Sequence, residues 1–189
     1  EISELIKMME ILTEYKNNTG APITWGGQWI VRSQRGLPKN YYPLIKSSGG
    51  QNITMGIESG SENVRRHMKK YFSDKDLDDE MEQFSKHGIK VGFFIIIGYP
   101  TETEEDFKDT LRMFKRYAKY VADGTIIGIA LGRGYVPESN TDLFQSSTIK
   151  FYDKKSNLKW YSETANSNYL QNVRRRLIAQ KVLENFYWP

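Results

Sequence analysis

Hydrophobic positions along the chain alternate between helical and extended spacing. Ile2, Leu5, Ile6, Met9 and Leu12 recur on one helical face and predict a helix over about 1–17, closed by the turn cluster Asn17-Asn18-Thr19-Gly20. ITWGGQWIVR predicts a strand over about 22–32, and its Gly26-Gly27 pair marks a bulge or a close approach of another group. A short helix is expected at about 38–48, between Pro38 and Gly49-Gly50. Ile53, Met55 and Ile57 alternate in a strand over about 52–58. Ser59 or Ser61 can cap the next helix, and Ser59 with Glu62 has capping-box spacing. Another helix begins near Ser73, buries Leu77, Met81 and Phe84, and stops at Gly88. The apolar run IKVGFFIIIG, 89–98, predicts a strand buried on both faces. Thr101 and Glu104 then have capping-box spacing before a stripe of Phe107, Leu111, Phe114, Ala118 and Val121. Asp123-Gly124 turns into a last strand, TIIGIAL, at about 125–131.

Strand starts near 22, 52, 89 and 125 lie 30, 37 and 36 residues apart. This alternation predicts an α/β fold of about four parallel βα units with right-handed crossovers, in an open sheet or part of a barrel. After Leu131 the periodicity fades. Residues 132–165 read as loop-rich with a short hairpin at 148–161, and a last helix is expected at about 166–187. On it Leu170, Val173 and Leu177 are expected to face inward, and Arg174-Arg175-Arg176 partly outward. Two parts follow from this: the βα units over 1–131 and a C-terminal extension over 132–189.

Composition narrows the chemistry. The 189 residues include no cysteine and only two histidines, which excludes disulfides and thiolate metal sites within the chain and argues against zinc. A net charge of +4 does not require a nucleic-acid partner. The longest apolar stretch, Val91 to Ile97, falls far short of the roughly 18 residues of a membrane span. A cytoplasmic protein is the expectation. The chain opens at Glu1 within a helical pattern, so it reads as cut from a longer protein.

Parallel α/β folds bind ligands beyond the carboxyl ends of their strands. That rule selects Arg32 to Gly36, Glu58 to Ser61, Gly98 to Thr103 and residues 132–137. Glu58 stands out, because an ionised carboxylate closing an apolar strand costs several kcal/mol unless paired or pointed into a polar site. Glu58, Ser59 and Ser61 can accept from hydroxyl or ammonium groups. The plainer alternative has the serines capping a helix and Glu58 paired with Arg65 or Arg32. Gly98 to Thr103 is by itself accounted for as an ordinary strand–turn–helix.

Two segments together resemble a known family. MGIESGSENVRRHMKKYFSDKDL followed by KHGIKVGFFIIIGYPTETEEDFKDTL is similar to radical S-adenosylmethionine (radical SAM) enzymes, most like the branch often fused to a cobalamin-binding domain. The resemblance covers about residues 1–131. It implies a partial TIM-like barrel of which these are the third to sixth strands. It also implies reductive cleavage of S-adenosylmethionine by a [4Fe–4S] cluster to a 5'-deoxyadenosyl radical that abstracts a substrate hydrogen. Glu58, Ser59 and Ser61 match the polar motif near the ribose and methionyl part of the cofactor. Ile96 and Gly98 match the segment that meets adenine, and the acidic position of that motif falls on Thr101 or Glu102. Phe94 departs from the motif's usual glycine, and Arg65 from its usual leucine. Trp25, Gln28, Arg32, Arg133 and Tyr135 would face substrate. The cluster's CxxxCxxC lies on an earlier strand, absent here, so the chain alone is expected to be inactive, with no catalytic residue assigned. Cobalamin is a further implied cofactor, and the missing N-terminal part of the barrel an implied partner.

Two other readings stay open: a cysteine-free relative that binds without catalysing, and an unrelated α/β-barrel enzyme using Glu58 as acid or base. An open sheet edge at Ile23 to Arg32 leads us to expect homo-oligomerisation.

Overall fold

A computed structural model describes residues 2–33, 35–132, 135–152 and 160–187. Helix α1 (Ile2–Thr19) is followed by β1 (Trp25–Trp29), α2 (Tyr41–Ser47) and β2 (Gly50–Glu58). Next come α3 (Glu62–His67), α4 (Asp74–Lys86), β3 (Val91–Ile95), α5 (Glu104–Ala122) and β4 (Ile126–Leu131). The four strands form one sheet in the order β1-β2-β3-β4. β1 pairs with β2 in parallel, Gln28 opposite Thr54 and Trp29 opposite Met55. Four parallel strands alternating with helices are the α/β arrangement expected from the sequence. The remainder is α6 (Asp142–Gln145), the short antiparallel strands β5 (Lys150–Phe151), β6 (Trp160–Ser162) and β7 (Ser167–Asn168), and α7 (Tyr169–Tyr187). The expected hairpin is the β5–β6 pair, and β7 adds a third strand that carries no sequence periodicity.

Contacts divide the chain into two compact units. The first comprises Glu1–Gly56, Phe72–Phe93 and Lys119–Gly128. Its core is aromatic: Trp29 packs on Tyr41 and Phe84 with centroids 6.0 Å apart, and Tyr42 meets Phe84 edge-on. Leu77, Met81 and Phe84 are buried as the spacing predicts. The glycine pair does mark a bulge, since the β1–β2 register shifts between Trp25 and Gly27. A Cβ on Gly26 would lie 2.6 Å from the Gln51 carbonyl oxygen, so only glycine fits there. β1 is shorter than the predicted 22–32, since residues 22–24 and 30–32 lie outside the ladder.

The second unit comprises Ile57–Tyr71, Phe94–Ala118 and Ile129–Pro189. Here the structure corrects three expectations. β3 and its continuation are not buried on both faces: Ile95 and Ile97 are buried, whereas Phe94 is 38% exposed. The apolar run therefore hides a period-two pattern in which both phases happen to be hydrophobic. On α7, Leu170, Val173 and Leu177 are exposed, and the residues turned inward are Arg175, Ala179 and Leu183. The last concerns a cap: of the two serines expected to cap α3 it is Ser61 that does so, accepting from Val64 N, but the box before α5 is Thr103 with Asp106 and not Thr101 with Glu104. Each helix thus starts two residues later than the Ser59–Glu62 and Thr101–Glu104 spacings suggest, which frees two residues after each strand to form a turn.

Candidate cofactor site

The turn after β2 is built on a strained residue. Glu58 has φ +68°, a left-handed conformation that side-chain-bearing residues rarely adopt. Its carbonyl oxygen still accepts from Ile96 N at 2.8 Å, so the strand register holds to its last residue. One carboxylate oxygen accepts from Lys70 Nζ at 3.1 Å. The other is shielded from solvent and has no hydrogen-bond partner. The expected partners are thereby corrected. Arg65 instead donates to the Ser59 carbonyl at 2.9 Å and lies 3.7 Å from Glu62.

Ser59 and Ser61 are buried, and their hydroxyls are engaged within the turn. Ser59 Oγ accepts from Ser61 N at 3.1 Å, and Ser61 Oγ donates to Asp106 Oδ1 at 2.6 Å. Asp106 is buried too, but the hydroxyls of Ser61 and Thr103 hold its carboxyl below the usual range. Gly60 completes the turn. Its N–H donates to Thr110 Oγ1 at 3.0 Å, and a Cβ there would lie 2.4 Å from Thr110 Cα.

The turn after β3 is built around a buried acid. Gly98, at φ +84°, donates its N–H to Glu102 Oε2 at 2.8 Å. Glu102 is fully buried, and burial pushes its carboxyl up to about 7 against the opposing pull of Gly98 N–H and Arg175. Its Oε1 has no hydrogen-bond partner, and neither has Thr101 Oγ1. Arg175 of α7 donates to the Glu102 carbonyl at 3.0 Å and, through Nε, to Glu104 Oε2 at 3.1 Å.

Both turns therefore present a carboxylate oxygen left unsatisfied by the protein itself. In buried surroundings such atoms are rare and call for a partner. Among the proposed cofactor residues, the second unit brings Glu58, Ser59, Ser61 and Ile96 together at one pair of strand ends, and Gly98 and Glu102 in one turn. Among the proposed substrate-facing residues, Tyr135 lines a cavity of about 510 Å³ with Ile97, Trp160 and Val173. Its ring meets Tyr99 edge-on at 4.9 Å, and its carbonyl accepts from Trp160 Nε1. Arg133 lies outside the described residues.

In the first unit, Trp25 donates to Ser48 Oγ at 2.9 Å, and Gln28 is exposed on β1. Arg32 follows β1 and is held by Glu80, which accepts from Arg32 N at 3.0 Å and from Trp29 Nε1 at 2.8 Å. Sequence reasoning missed Glu80, although its place in the apolar series Leu77-Glu80-Met81-Phe84 was a usable signal. It also missed Lys70 and Arg175, for which the sequence holds no such signal. No group of three or more potential metal ligands occurs among the described residues.

Comparison with known proteins gives these turns a context. The model of the radical SAM superfamily matches residues 5–114. An uncharacterized protein of Methanocaldococcus jannaschii is 26% identical over 144 residues, covering 70% of this chain and 32% of that protein. The threonylcarbamoyladenosine tRNA methylthiotransferase of Drosophila pseudoobscura pseudoobscura is 36% identical over 63 residues, covering 32% of this chain and 11% of that one. This chain thus spans a third or less of the length of either relative. In fold it is similar to coproporphyrinogen III oxidase (HemN) of Escherichia coli, a radical SAM enzyme, with TM-score 0.60 and 16% identity over 98% of this chain and 37% of that one. It is also similar to the radical S-adenosylmethionine methyltransferase TsrM of Kitasatospora setae, whose structure holds cobalamin and a [4Fe-4S] cluster. There the TM-score is 0.54 and the identity 14%, over 69% of this chain and 25% of that one. With more than half of its residues matched by the family model, the chain belongs to the radical SAM superfamily.

Proposed function

We propose that this chain is the later part of a radical SAM barrel domain and receives S-adenosylmethionine at the turns after β2 and β3. The observation that carries the reading is Glu58. A left-handed, side-chain-bearing residue at a strand's carboxyl end holds one oxygen on Lys70 and keeps the other shielded and unpartnered. Such an oxygen suits a donor from outside, a ribose hydroxyl or an ammonium group, and both occur in S-adenosylmethionine. Ser59 and Ser61 serve by fixing the turn, while Ile96, Gly98 and Glu102 shape the neighbouring one for the adenine. When reduced by a [4Fe–4S] cluster, bound S-adenosylmethionine would supply the 5'-deoxyadenosyl radical of the family's chemistry. This chain's own part is to bind, orient and shield. Trp25, Gln28, Arg32, Arg133 and Tyr135 are assigned to the substrate side, with the aromatic cavity at Tyr135 supporting that residue's role. TsrM's cobalamin keeps that cofactor among the candidates for the parent protein.

The residues present do not fit the cluster, since the chain holds no cysteine thiolate to ligate it. The thiolates would come from an earlier part of the parent protein, and this piece alone is inactive in our reading. Absence of CxxxCxxC in the parent gene upstream of Glu1 would favour the non-catalytic relative instead. Binding is tested directly by calorimetry of the 189-residue chain with S-adenosylhomocysteine, which needs no reductant. We expect saturable binding that Glu58→Gln weakens at least tenfold, the equivalent of about 1.4 kcal/mol. Binding that Glu58→Gln leaves unchanged would refute the assignment. Self-association through the edge of β1, which pairs with no further strand among the described residues, is a further proposal, checked by sedimentation: a monomer at all concentrations would sink it.

A further inference from the structure

The last helix touches the strand-end turn that the function uses. Asn172 and Arg175 lie three residues apart on α7, on one face. Arg175 is 1% exposed and reaches the turn at the Glu102 carbonyl (3.0 Å) and Glu102 Oε2 (3.5 Å), and the first residue of α5 at Glu104 Oε2 (3.1 Å). Its guanidinium also stands 5.9 Å from the centre of the Phe107 ring. Asn172 closes the other end. Its side chain stands so near Gly98 that a Cβ on that glycine would lie 2.4 Å from Asn172 Cγ. Asn172 is itself fixed, accepting from Ser167 Oγ at 2.9 Å. Gly98 and Glu102, the two ends of the turn, are joined by the 2.8 Å bond from Gly98 N to Glu102 Oε2. The helix therefore grips both ends of a five-residue turn, one by shape and one by charge.

We propose that Asn172 and Arg175 are positioning residues: together they hold the Gly98–Glu102 turn in the shape that receives the adenosine ligand. The proposal rests on the reading of this turn as a cofactor contact, and it gives the C-terminal helix a part in that site. Burial of a guanidinium is costly unless it is fully paired, so Arg175 marks the place where α7 must dock. The bond it makes to the Glu102 carbonyl fixes the main chain, and its charge faces the carboxylate that holds Gly98 N–H. Loss of either contact lets the turn open without altering any atom placed against the ligand.

Two variants of the full 189-residue chain test this. Arg175→Met removes the charge, and Asn172→Ala removes the side chain against Gly98 while leaving every ion pair in place. Amide hydrogen exchange of Gly98 to Thr103 in the ligand-free protein is the first readout. The dissociation constant for S-adenosylhomocysteine, measured beside the melting temperature, is the second. We expect at least tenfold faster exchange at Gly98 in both variants. For Asn172→Ala we expect a five- to tenfold weaker affinity at a melting temperature within about 3 °C of wild type. Unchanged exchange at Gly98 in Asn172→Ala overturns the proposal, as does faster exchange with unchanged affinity. Should wild type not bind the nucleoside at all, the cofactor reading fails, and the exchange readout still decides whether α7 holds the turn.

Discussion

Glu58 and Glu102 each belong to a turn at the carboxyl end of a strand, and the two turns solve the problem of a carboxylate differently. Glu58 keeps a partly exposed lysine as its partner, with side chains 15% and 27% exposed respectively. Glu102 is sealed, with Arg175 beside it and both side chains all but inaccessible. The first arrangement costs backbone strain, a left-handed φ, and the shielding of one carboxylate oxygen without a partner. The second keeps the left-handed conformation at a glycine, Gly98, and places the cost in burial of charge. A turn whose acid holds a partly exposed lysine and one unpartnered oxygen can take up a donor from a ligand at small cost. A turn whose acid is buried is held by whatever supplies the counter-charge.

Removing each cation gives the largest contrast. Arg175→Met leaves Glu102 buried beside no cation and should lower unfolding free energy at pH 8 by about 3–5 kcal/mol. Lys70→Met should cost no more than about 1 kcal/mol, the range of a partly exposed pair. Urea unfolding of the two variants measures both. The Arg175 deficit should shrink at pH 5, because a Glu102 carboxyl that titrates at about 7 is then protonated and needs no counter-charge. Equal losses for the two variants would erase the distinction between the turns.

Glu80 extends the comparison to the first unit as a buried acid that accepts hydrogen bonds from Trp29 Nε1, Arg32 N and the Tyr42 side chain. Burial, opposed by these bonds and by the charge of Arg32, pushes it up to about 7 from 4.5. The folded state thus holds its proton where the unfolded chain has lost it. The stability this group contributes is complete below about pH 4.5 and is lost as pH rises through 7, by about 3 kcal/mol in all. Glu80→Gln removes the titration. The variant's unfolding free energy relative to wild type should therefore rise by that amount between pH 4.5 and pH 8. A difference that stays flat across the range would show that Glu80 is better solvated than its surroundings imply.

The same contrast explains what could be read from the chain alone. Glu58 was legible because its anomaly is local: a carboxylate closing the alternating run Ile53, Met55, Ile57. The four βα units were legible for the same reason, since period and turn chemistry are properties of neighbouring residues. Arg175 was not, because its partners Glu102 and Glu104 lie some seventy residues earlier. Helical spacing placed Leu170, Val173 and Leu177 inward, the natural choice when apolar residues compete with arginines for a buried face. The structure reverses it because two carboxylates and a main-chain carbonyl wait on the other side, and periodicity carries no record of them. Capping boxes misled for a related reason. Ser59–Glu62 and Thr101–Glu104 have the right spacing, but Ser61 and Thr103 were equally eligible, and Asp106 decided in favour of both by binding each hydroxyl.

The smallest expected change in stability falls where the largest change in binding should. Glu58→Gly relieves the left-handed backbone, worth about 1 kcal/mol or somewhat more. It also gives up the Lys70 pair, up to about 1 kcal/mol, and adds freedom to the unfolded chain worth about 0.5–1 kcal/mol. These contributions nearly cancel, so the variant should unfold within about 1 kcal/mol of wild type. Binding of S-adenosylhomocysteine should nevertheless fall at least tenfold, since the shielded oxygen is gone. Strain kept at a residue whose removal leaves stability intact is strain kept for a ligand. A loss above about 2 kcal/mol, with binding no worse than that loss explains, would instead make Glu58 a structural anchor of the same kind as Glu102.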